Sequence, residues 1–514
     1  MNRLVNKVAL WLLRRRMEQI EYYMERPGEV QEAQFQKLIS RGRLTAWGAA
    51  HGYEDLHSYA DFQARVPVSS YEQLFPWIER SIAGDPDVLW PGRVSWFAKS
   101  SGTTNDKSKY IPVTEESLED CHYKAGQDML ALYFAHKPDS RLFTGKSLSI
   151  GGTHTLHPLN PHARLGDVSA VILENLPVFY EMVRAPRKEI ALMADWEQKL
   201  IAMEQEIIFD DITSIVGVPT WTLVLINRLL DKMQISSRNL LEIWPNLELY
   251  IHGGVSFDPY RPQFEAISGG NLSFLDCYNA SEGFFGVQLS PESRDLLLLL
   301  DCGVFYEFIP LEDLGTDAPP AHTLDEVDLH RNYAMVISTN GGLWRYLIGD
   351  TVMFTGKSPY TFRVTGRTRQ FINIFGEELM VDNADTAITT ACQETGALVR
   401  DYTAGPVFPD AQGQGGHEWL IEFERMPDSL DRFGWVLDQT LKAINSDYEA
   451  KRHAGLALQM PRIQIVPDGT FHHWMKNRGR LGGQNKVPRL SNTRQHLDSV
   501  FALLETQGYP MHHP

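Results

Sequence analysis

Cysteine is scarce in this chain of 514 residues: four occur, at Cys121, Cys277, Cys302 and Cys392, and none forms a CxxC pair. So few cannot staple a disulfide scaffold, and they lack the spacing of a structural zinc site, so a reducing, cytoplasmic setting is expected. Long uncharged apolar runs are also missing. The longest candidate, 294–311 (RDLLLLLDCGVFYEFIPL), carries Arg294, Asp295, Asp301 and Glu307, which argues against a membrane span. Positive charge is in deficit. Forty-eight Lys and Arg stand against 65 Asp and Glu, a net charge of −17, which disfavours a protein that wraps a nucleic acid backbone. A small anion remains possible, because local basic groups can hold one against a negative total. Several motifs are absent too. There is no GxSxG, no HExxH, no GxGxxG after a strand and no GxxxxGK[ST], so the sequence supports neither a serine-elbow hydrolase, a zinc protease, a dinucleotide fold nor a Walker loop.

Apolar residues make up 43% and charged residues 22%, close to globular averages, so a packed chain of about three domains or subdomains is expected. The N-terminus has the basic start of a signal peptide. Lys7 and Arg14 to Arg16 break its apolar core and no small-residue cleavage site follows. Leu4, Val5, Val8, Trp11 and Leu12 share one helical face, which predicts an amphipathic helix packed on the body rather than one lying on a membrane. Residues 1–80 read as mostly helical, as do 115–135. Residues 218–233 read as a helix because Pro219 stands in the first turn ahead of an apolar stripe. Short strands are predicted at 93–99, 247–252, 272–277, 303–309, 333–338 and 343–355, each closed by Gly, Asn or Asp. Strands alternating with helices predict an α/β body. After about residue 370 the pattern becomes a smaller α+β unit, with strands at 416–425 and 461–466 around a helix at about 429–452. It ends in a basic, glycine-rich segment, 476–489 (KNRGRLGGQNKVPR), read as a mobile anion-gripping loop.

Four segments suggest chemistry. SSGTTNDKSKYIP (100–112) follows a strand. Its glycine permits close approach of backbone to ligand, and its hydroxyls and N–H groups suit phosphate oxygens, with Lys107 and Lys109 nearby. YNASEGFFG (278–286) offers an aromatic ring for a purine and a carboxylate, Glu282, for magnesium. WRYLIGD (344–350) places Asp350 after glycine, where it could grip ribose hydroxyls. His252-Gly253-Gly254 would let a flat base lie on the backbone. Taken singly, each also reads as an ordinary turn or a stretch of core, and the Ser/Gly/Thr loop more often as a plain turn. The paired histidines His472-His473 and His154/His157 lack further ligands at metal spacing.

Taken in order, these segments resemble the adenylate-forming enzymes, and in particular the Gretchen Hagen auxin-responsive family of acyl acid amido synthetases. GVPTW (217–221), IWPNLELYIHGGVSF (243–257), VFYEFIP (304–310), GLWRYLIGD (342–350), VTGRTRQFINIFGEEL (364–379), DYTAGP (401–406) and GGQNKVPR (482–489) carry the resemblance together with the two loops above. It implies an α/β fold: a large N-terminal domain of β-α subdomains plus a β-barrel, residues 1–370, then a hinge at 371–385 and a smaller mobile α+β C-terminal domain at 386–514. It implies ATP and Mg2+, a carboxylic acid that attacks the α-phosphate to give an acyl adenylate and pyrophosphate, and an amino acid whose amine then expels AMP. Ser100, Ser101, Gly102, Thr103 and Thr104 would cradle phosphates. Tyr278 and the Gly253, Gly254 turn would frame adenine. Ser281 would lie near the phosphates, with Glu282 as magnesium ligand. Asp350 would take the ribose and Arg367 would stand at the hinge. Lys486 would reach the α-phosphate. Tyr123, Lys124 and Trp221 are the candidates for the acyl pocket. Glu378 departs from a lysine that many relatives carry, which puts a cationic contact from that position in doubt. No nucleic acid, membrane or obligate protein partner is implied. Two other readings stay open at this point: a coenzyme A ligase using the same adenylate, and a non-catalytic adenylate-binding protein.

Overall fold

The computed structural model describes every residue except 1, 101–108, 150–153, 157–162, 194, 255–256, 259, 317–318, 369–370, 373–376, 378, 409–414, 446–447, 450–451, 453–457, 480–485, 492 and 509–514. Its strands are β1 (Trp96–Ser100), β2 (Lys109–Val113), β3 (Lys146–Ser149), β4 (His154–Leu156), β5 (Arg164–Gly166), β6 (Arg184–Ala185), β7 (Ile212–Val216), β8 (Leu249–Gly253), β9 (Ser273–Ala280), β10 (Gly283–Gln288), β11 (Leu296–Leu298), β12 (Val304–Pro310), β13 (Asn332–Thr339), β14 (Tyr346–Lys357), β15 (Tyr360–Arg367), β16 (Phe371–Ile372), β17 (Leu379–Met380), β18 (Leu398–Val407), β19 (Gly416–Arg425) and β20 (Arg462–Val466). The chain divides into two compact units. One holds residues 1–254, 264–348 and 352–363, the other 255–263, 349–351 and 364–514.

An eleven-stranded sheet, in the order β12-β13-β14-β15-β11-β10-β9-β8-β7-β3-β6, forms the frame of the larger unit. From β9 to β6 the pairs are parallel. Parallel strands flanked by helices are buried on both faces, and β7 (ITSIV) and β8 (LYIHG) are buried along all but their last residue. From β9 to β15 the pairs are antiparallel. Beyond β9 the antiparallel strands continue the same central sheet. A second sheet, β2-β1-β5-β4, carries the 100–109 hairpin.

One expectation about the helices holds and one is corrected. The 115–135 segment is helical throughout, as a short α-helical turn at Glu115–Ser117, a π-helical turn at Leu118–Tyr123 and an α-helix at Lys124–His136. The N-terminal helix, Asn2–Glu25, does pack on the body, but through Leu13, Arg16, Ile20 and Tyr23, whereas Trp11 and Leu12 are exposed. Arg16 explains the shift of face. Its guanidinium is buried against Asp128 of the Lys124–His136 helix and against Asp301, and an arginine so paired holds its helix in one rotation.

In the smaller unit β19 is central, between β18 and β20. Its side chains alternate as the two-residue period requires. Trp419, Ile421 and Phe423 enter one core with the helices Val381–Thr395 and Leu430–Ile444. Leu420 enters another, with Phe471, Trp474, Leu497 and Phe501 from the helices Thr470–Asn477 and Gln495–Thr506. Glu422, between them, accepts the backbone N–H groups of Gly469 and Phe471 at 2.9 and 3.0 Å, so a buried carboxylate caps the Thr470–Asn477 helix.

Candidate functional site

In the larger unit the predicted phosphate loop is the tip of the β1–β2 hairpin. Ser100 pairs with Lys109, and Ser101, Gly102, Thr103 and Thr104 lie outside the described residues, as does the side chain of Ser100. The root of that loop is well defined. The Lys109 ammonium donates to the Tyr346 hydroxyl at 3.1 Å and sits over the rings of Tyr71 and Tyr346, 5.5 and 5.7 Å from their centroids. Tyr71 in turn accepts the Tyr110 N–H at 2.8 Å. Burial pushes the Tyr71 phenol up to about 12, and the carboxylate of Glu282 adds to the rise. Glu282 therefore lies within electrostatic reach of the loop root, as a phosphate or magnesium role requires.

Residues 278–286, read from sequence as a loop, form a hairpin instead. Ala280 pairs with Gly283, and Ser281 and Glu282 make the two-residue turn. Ser281 is buried and Glu282 half-buried. Tyr278 is inside β9 rather than at its end. Its ring meets Phe285 and Phe362 edge-on at 5.1 and 6.2 Å. At the end of β8, Gly253 runs so close to β9 that an added Cβ would lie 2.5 Å from the Cys277 carbonyl oxygen, and Gly254 has φ +83°. Both glycines are thus required by the backbone. His252, beside them, is buried with Nδ1 3.3 Å from Asp276 Oδ1.

The acyl-pocket candidates fare differently. Lys124 is engaged elsewhere: its ammonium donates to the Asp301 carbonyl at 2.8 Å and pairs with the Asp301 carboxylate at 3.0 Å. It belongs to the buried Arg16–Asp128–Asp301 cluster. Tyr123, at the end of the π-helical turn, is half-buried, and its hydroxyl has no hydrogen-bond partner among the described residues. Trp221 lies in the helix Pro219–Lys232; its side chain is outside the described residues.

In the smaller unit Asp350 is buried, and Arg367 Nε donates to its Oδ1 at 2.6 Å. Gly349, at φ +90°, makes the turn that presents Asp350, and its carbonyl accepts the Thr368 N–H at 2.8 Å. Lys486 is electrostatically coupled to this pair. Desolvation, the charge of Arg367 and that of Arg489 lower its ammonium to about 8, against the opposing pull of Asp350. Its side chain still meets solvent, so the water it retains tempers that desolvation. Lys486 is exposed and leads into a seated segment: residues 487–490 are buried and Leu490 bridges to Ala404 of β18. Glu378 lies outside the described residues. Its neighbour Glu377 is fully buried and 2.8 Å from His417 Nε2, a contact no local motif announced.

Other chemistries find little support. All four sulfurs are free thiols, and burial raises each of them, Cys121 and Cys392 to about 12, so none is an activated nucleophile. Among the described residues one group has metal-ligand spacing, Asp128, Asp301 and Cys302, and Arg16 and Lys124 already neutralise it. His472 and His473 are exposed on the Thr470–Asn477 helix.

Three family models match the chain: the GH3 family N-terminal domain over residues 16–273, the central domain over 297–367 and the C-terminal domain over 382–495. Indole-3-acetic acid-amido synthetase GH3.8 of Oryza sativa subsp. indica is 25% identical, with 90% of this chain and 87% of that protein aligned. GH3.3 of Arabidopsis thaliana, of the same description, is 23% identical over 90% and 89%. Among solved structures, AtGH3.15 acyl acid amido synthetase in complex with 2,4-DB superposes with a TM-score of 0.77 at 20% identity, covering 96% of each chain. A 2-hydroxyisobutyryl-CoA ligase holding its acyl adenylate superposes at 0.55, with 14% identity over 94% and 92%. With all three family domains present, in order and over most of its length, the chain belongs to the GH3 family.

Proposed function

We propose that this protein is an ATP-dependent acyl acid amido synthetase. A substrate carboxylate attacks the α-phosphorus of ATP, forming the acyl–phosphate bond and releasing pyrophosphate. The amine of an amino acid then attacks the acyl carbon, losing a proton, and AMP departs with the former carboxylate oxygen. The observation that carries this reading is the buried Asp350–Arg367 pair, bonded at 2.6 Å, with Lys486 within electrostatic reach of it, in a chain where Glu282 lies within electrostatic reach of Tyr71 at the root of the 100–109 loop. No protein nucleophile is needed, which agrees with four unreactive thiols. Catalysis is positioning and charge neutralisation at phosphorus.

Each residue has a part in that scheme. The 100–104 loop and Ser281 hold phosphates, Tyr278 and the Gly253-Gly254 turn frame adenine, and Asp350 takes the ribose with Arg367 beside it. Lys486 neutralises charge at the α-phosphate. Glu282 is the carboxylate that would hold magnesium, a single ligand being enough for an ion that keeps most of its waters and binds phosphate oxygens; the ion would neutralise phosphate charge. Residues 1–370 form the adenylation domain, 371–385 the hinge and 386–514 the domain whose movement withdraws Lys486 and admits the amine. The acid is aromatic or aliphatic, in line with the indole-3-acetic acid named for the relatives and the 2,4-DB held by AtGH3.15. Among the described residues no helix is long and apolar enough to cross a membrane.

The test is pyrophosphate release from ATP and magnesium across a carboxylate panel, with and without the twenty amino acids. Release that needs an acid and rises with one amino acid supports the proposal. Acid-dependent release indifferent to every amino acid but quickened by coenzyme A would replace the amide step with a thioester. Silence from folded protein would remove the adenylation step.

A further inference from the structure

The sequence KVPRL, residues 486–490, ends the basic segment, and its two cations are treated in opposite ways. Lys486 meets solvent; Arg489 is buried. A buried guanidinium is tolerated only when its N–H groups are paired, and here they are. Nη1 donates to Asp401 and, at 3.2 Å, to the Tyr402 carbonyl. Nη2 donates to the Tyr260 hydroxyl at 3.0 Å. The guanidinium plane lies over the Tyr402 ring, 4.5 Å from its centroid. Tyr402 is itself fixed, its hydroxyl donating to Asp385 at 2.6 Å. One hydroxyl and two main-chain N–H groups complete the seat: Thr403 Oγ1 donates to the Pro488 carbonyl at 2.6 Å, Ala404 N–H to the Arg489 carbonyl at 2.8 Å, and Ser491 N–H to the Ala404 carbonyl at 3.1 Å.

Three features make this more than core packing. A buried ion pair adds little stability beyond an apolar substitute, so its geometry is the more telling property. The planar fork fits one orientation only, whereas a lysine would leave donors and acceptors unmatched. It also joins segments distant in sequence. Tyr260 follows the Gly253-Gly254 turn by six residues, Asp401 and Tyr402 belong to β18, and Lys486 is three residues from the fork.

We propose that Arg489 is the positioning residue of the adenylation step: its fork, seated on Tyr260, Asp401 and Tyr402, fixes the 486–490 segment in place and so delivers Lys486 toward Asp350 and Arg367. The inference rests on the adenylation reading of Lys486. Arg489 does not touch the reacting atoms; it acts through Lys486, so its loss is felt only in the half-reaction that uses that lysine.

The decisive variant is Arg489→Lys, which keeps the charge and removes the fork. An ångström of misplacement at a reacting group slows a step by about 100-fold, so adenylation is expected to fall 10- to 100-fold. The KM for ATP and the rate of amide formation from a supplied acyl adenylate should stay within about threefold, because neither is limited by the lysine's placement. Tyr260→Phe removes one of the bonds and should slow adenylation less, by about 3- to 10-fold. A second readout needs no turnover. Lys486 in the full-length protein is labelled by 13C reductive methylation, its resonance identified with Lys486→Arg, and titrated. In Arg489→Lys the inflection should rise toward that of an ordinary lysine. An unchanged titration, or equal slowing of both half-reactions, overturns the proposal. If the parent releases no pyrophosphate, the adenylation reading fails, and the titration still decides whether Arg489 seats the lysine.

Discussion

In the proposed adenylation Lys486 would act through a single ammonium, and its surroundings set the pH at which it does so. The lowered value of about 8 comes from desolvation, then from the like charges of Arg367 and Arg489, with Asp350 opposing. Charge at the α-phosphate is neutralised only by the protonated form. Adenylation should therefore hold below pH 8 and decline as pH rises through it, while amide formation from a supplied adenylate, which needs an unprotonated amine, should not decline there. Lys486→Arg should move the alkaline limb up by more than a unit and lower the plateau, because a planar fork does not replace a point charge. Pyrophosphate release against pH for both proteins checks this; coincident limbs would remove Lys486 from the step. Asp350 makes a parallel case. Losing a hydrogen bond to a charged group costs about 1.5–3 kcal/mol, so Asp350→Ala should weaken ATP about 10- to 150-fold. Calorimetry of ATP binding decides it, and an unchanged affinity would take the ribose role from Asp350.

Strands and turns place these groups, and here a missing methyl matters most. At Gly253 an added Cβ would lie 2.5 Å from the Cys277 carbonyl oxygen, a backbone atom that cannot yield without parting β8 from β9. Gly253→Ala should cost about 1–3 kcal/mol in stability and, with the adenine platform proposed at that strand end, should weaken ATP binding in the same variant. Gly126→Ala is the contrast. It lies in the Lys124–His136 helix with open space where its Cβ would stand, so alanine should stabilise by about 0.5–1 kcal/mol and leave ATP binding alone. Thermal melts with and without ATP separate the two. Much at this scale was legible in the sequence. The alternation of GHEWLIEFER marks β19 at 416–425, and Pro219 marks a helix start within one residue. The elements that escaped have physical reasons. The β9–β10 turn is Ser281-Glu282, without the Asn or Gly that announces a hairpin, so YNASEGFFG read as a loop. The π-helical turn at 118–123 shares the apolar period of its flanks. Arg489 meets an acid 88 residues earlier in the chain, and its burial leaves no local mark beside an equally basic Lys486.

Across the molecule the acid excess sets how stability answers to pH, and individual buried groups pull in opposite directions. At net charge −17, mild acid relieves repulsion. Asp128, pushed up to about 6 chiefly by burial and against the pull of Arg16, takes up a proton in the folded state earlier than in the unfolded chain, so this group alone adds stability as pH falls from 6 toward 4. His122 does the reverse. It lies fully buried in the π-helical turn, with Nδ1 lacking a hydrogen-bond partner among the described residues, and desolvation lowers it from 6.5 to about 4. Between those values the unfolded chain binds a proton that the folded one does not. Its contribution is therefore intact above pH 6.5 and lost progressively toward pH 4, a penalty of about 3 kcal/mol at 1.36 kcal/mol per unit. The two groups offset each other in the parent, so the parent's own curve is a poor witness. His122→Leu isolates the histidine, since leucine fills the site and cannot titrate. The expected result is a variant at least as stable as the parent at pH 7, because an orphaned ring nitrogen is gone, and increasingly more stable than it from pH 6.5 down to 4. Urea unfolding of both proteins at pH 7, 6, 5 and 4 reads the difference directly. Curves that stay parallel would mean that His122 is hydrated or paired in solution and titrates as it does in the unfolded chain.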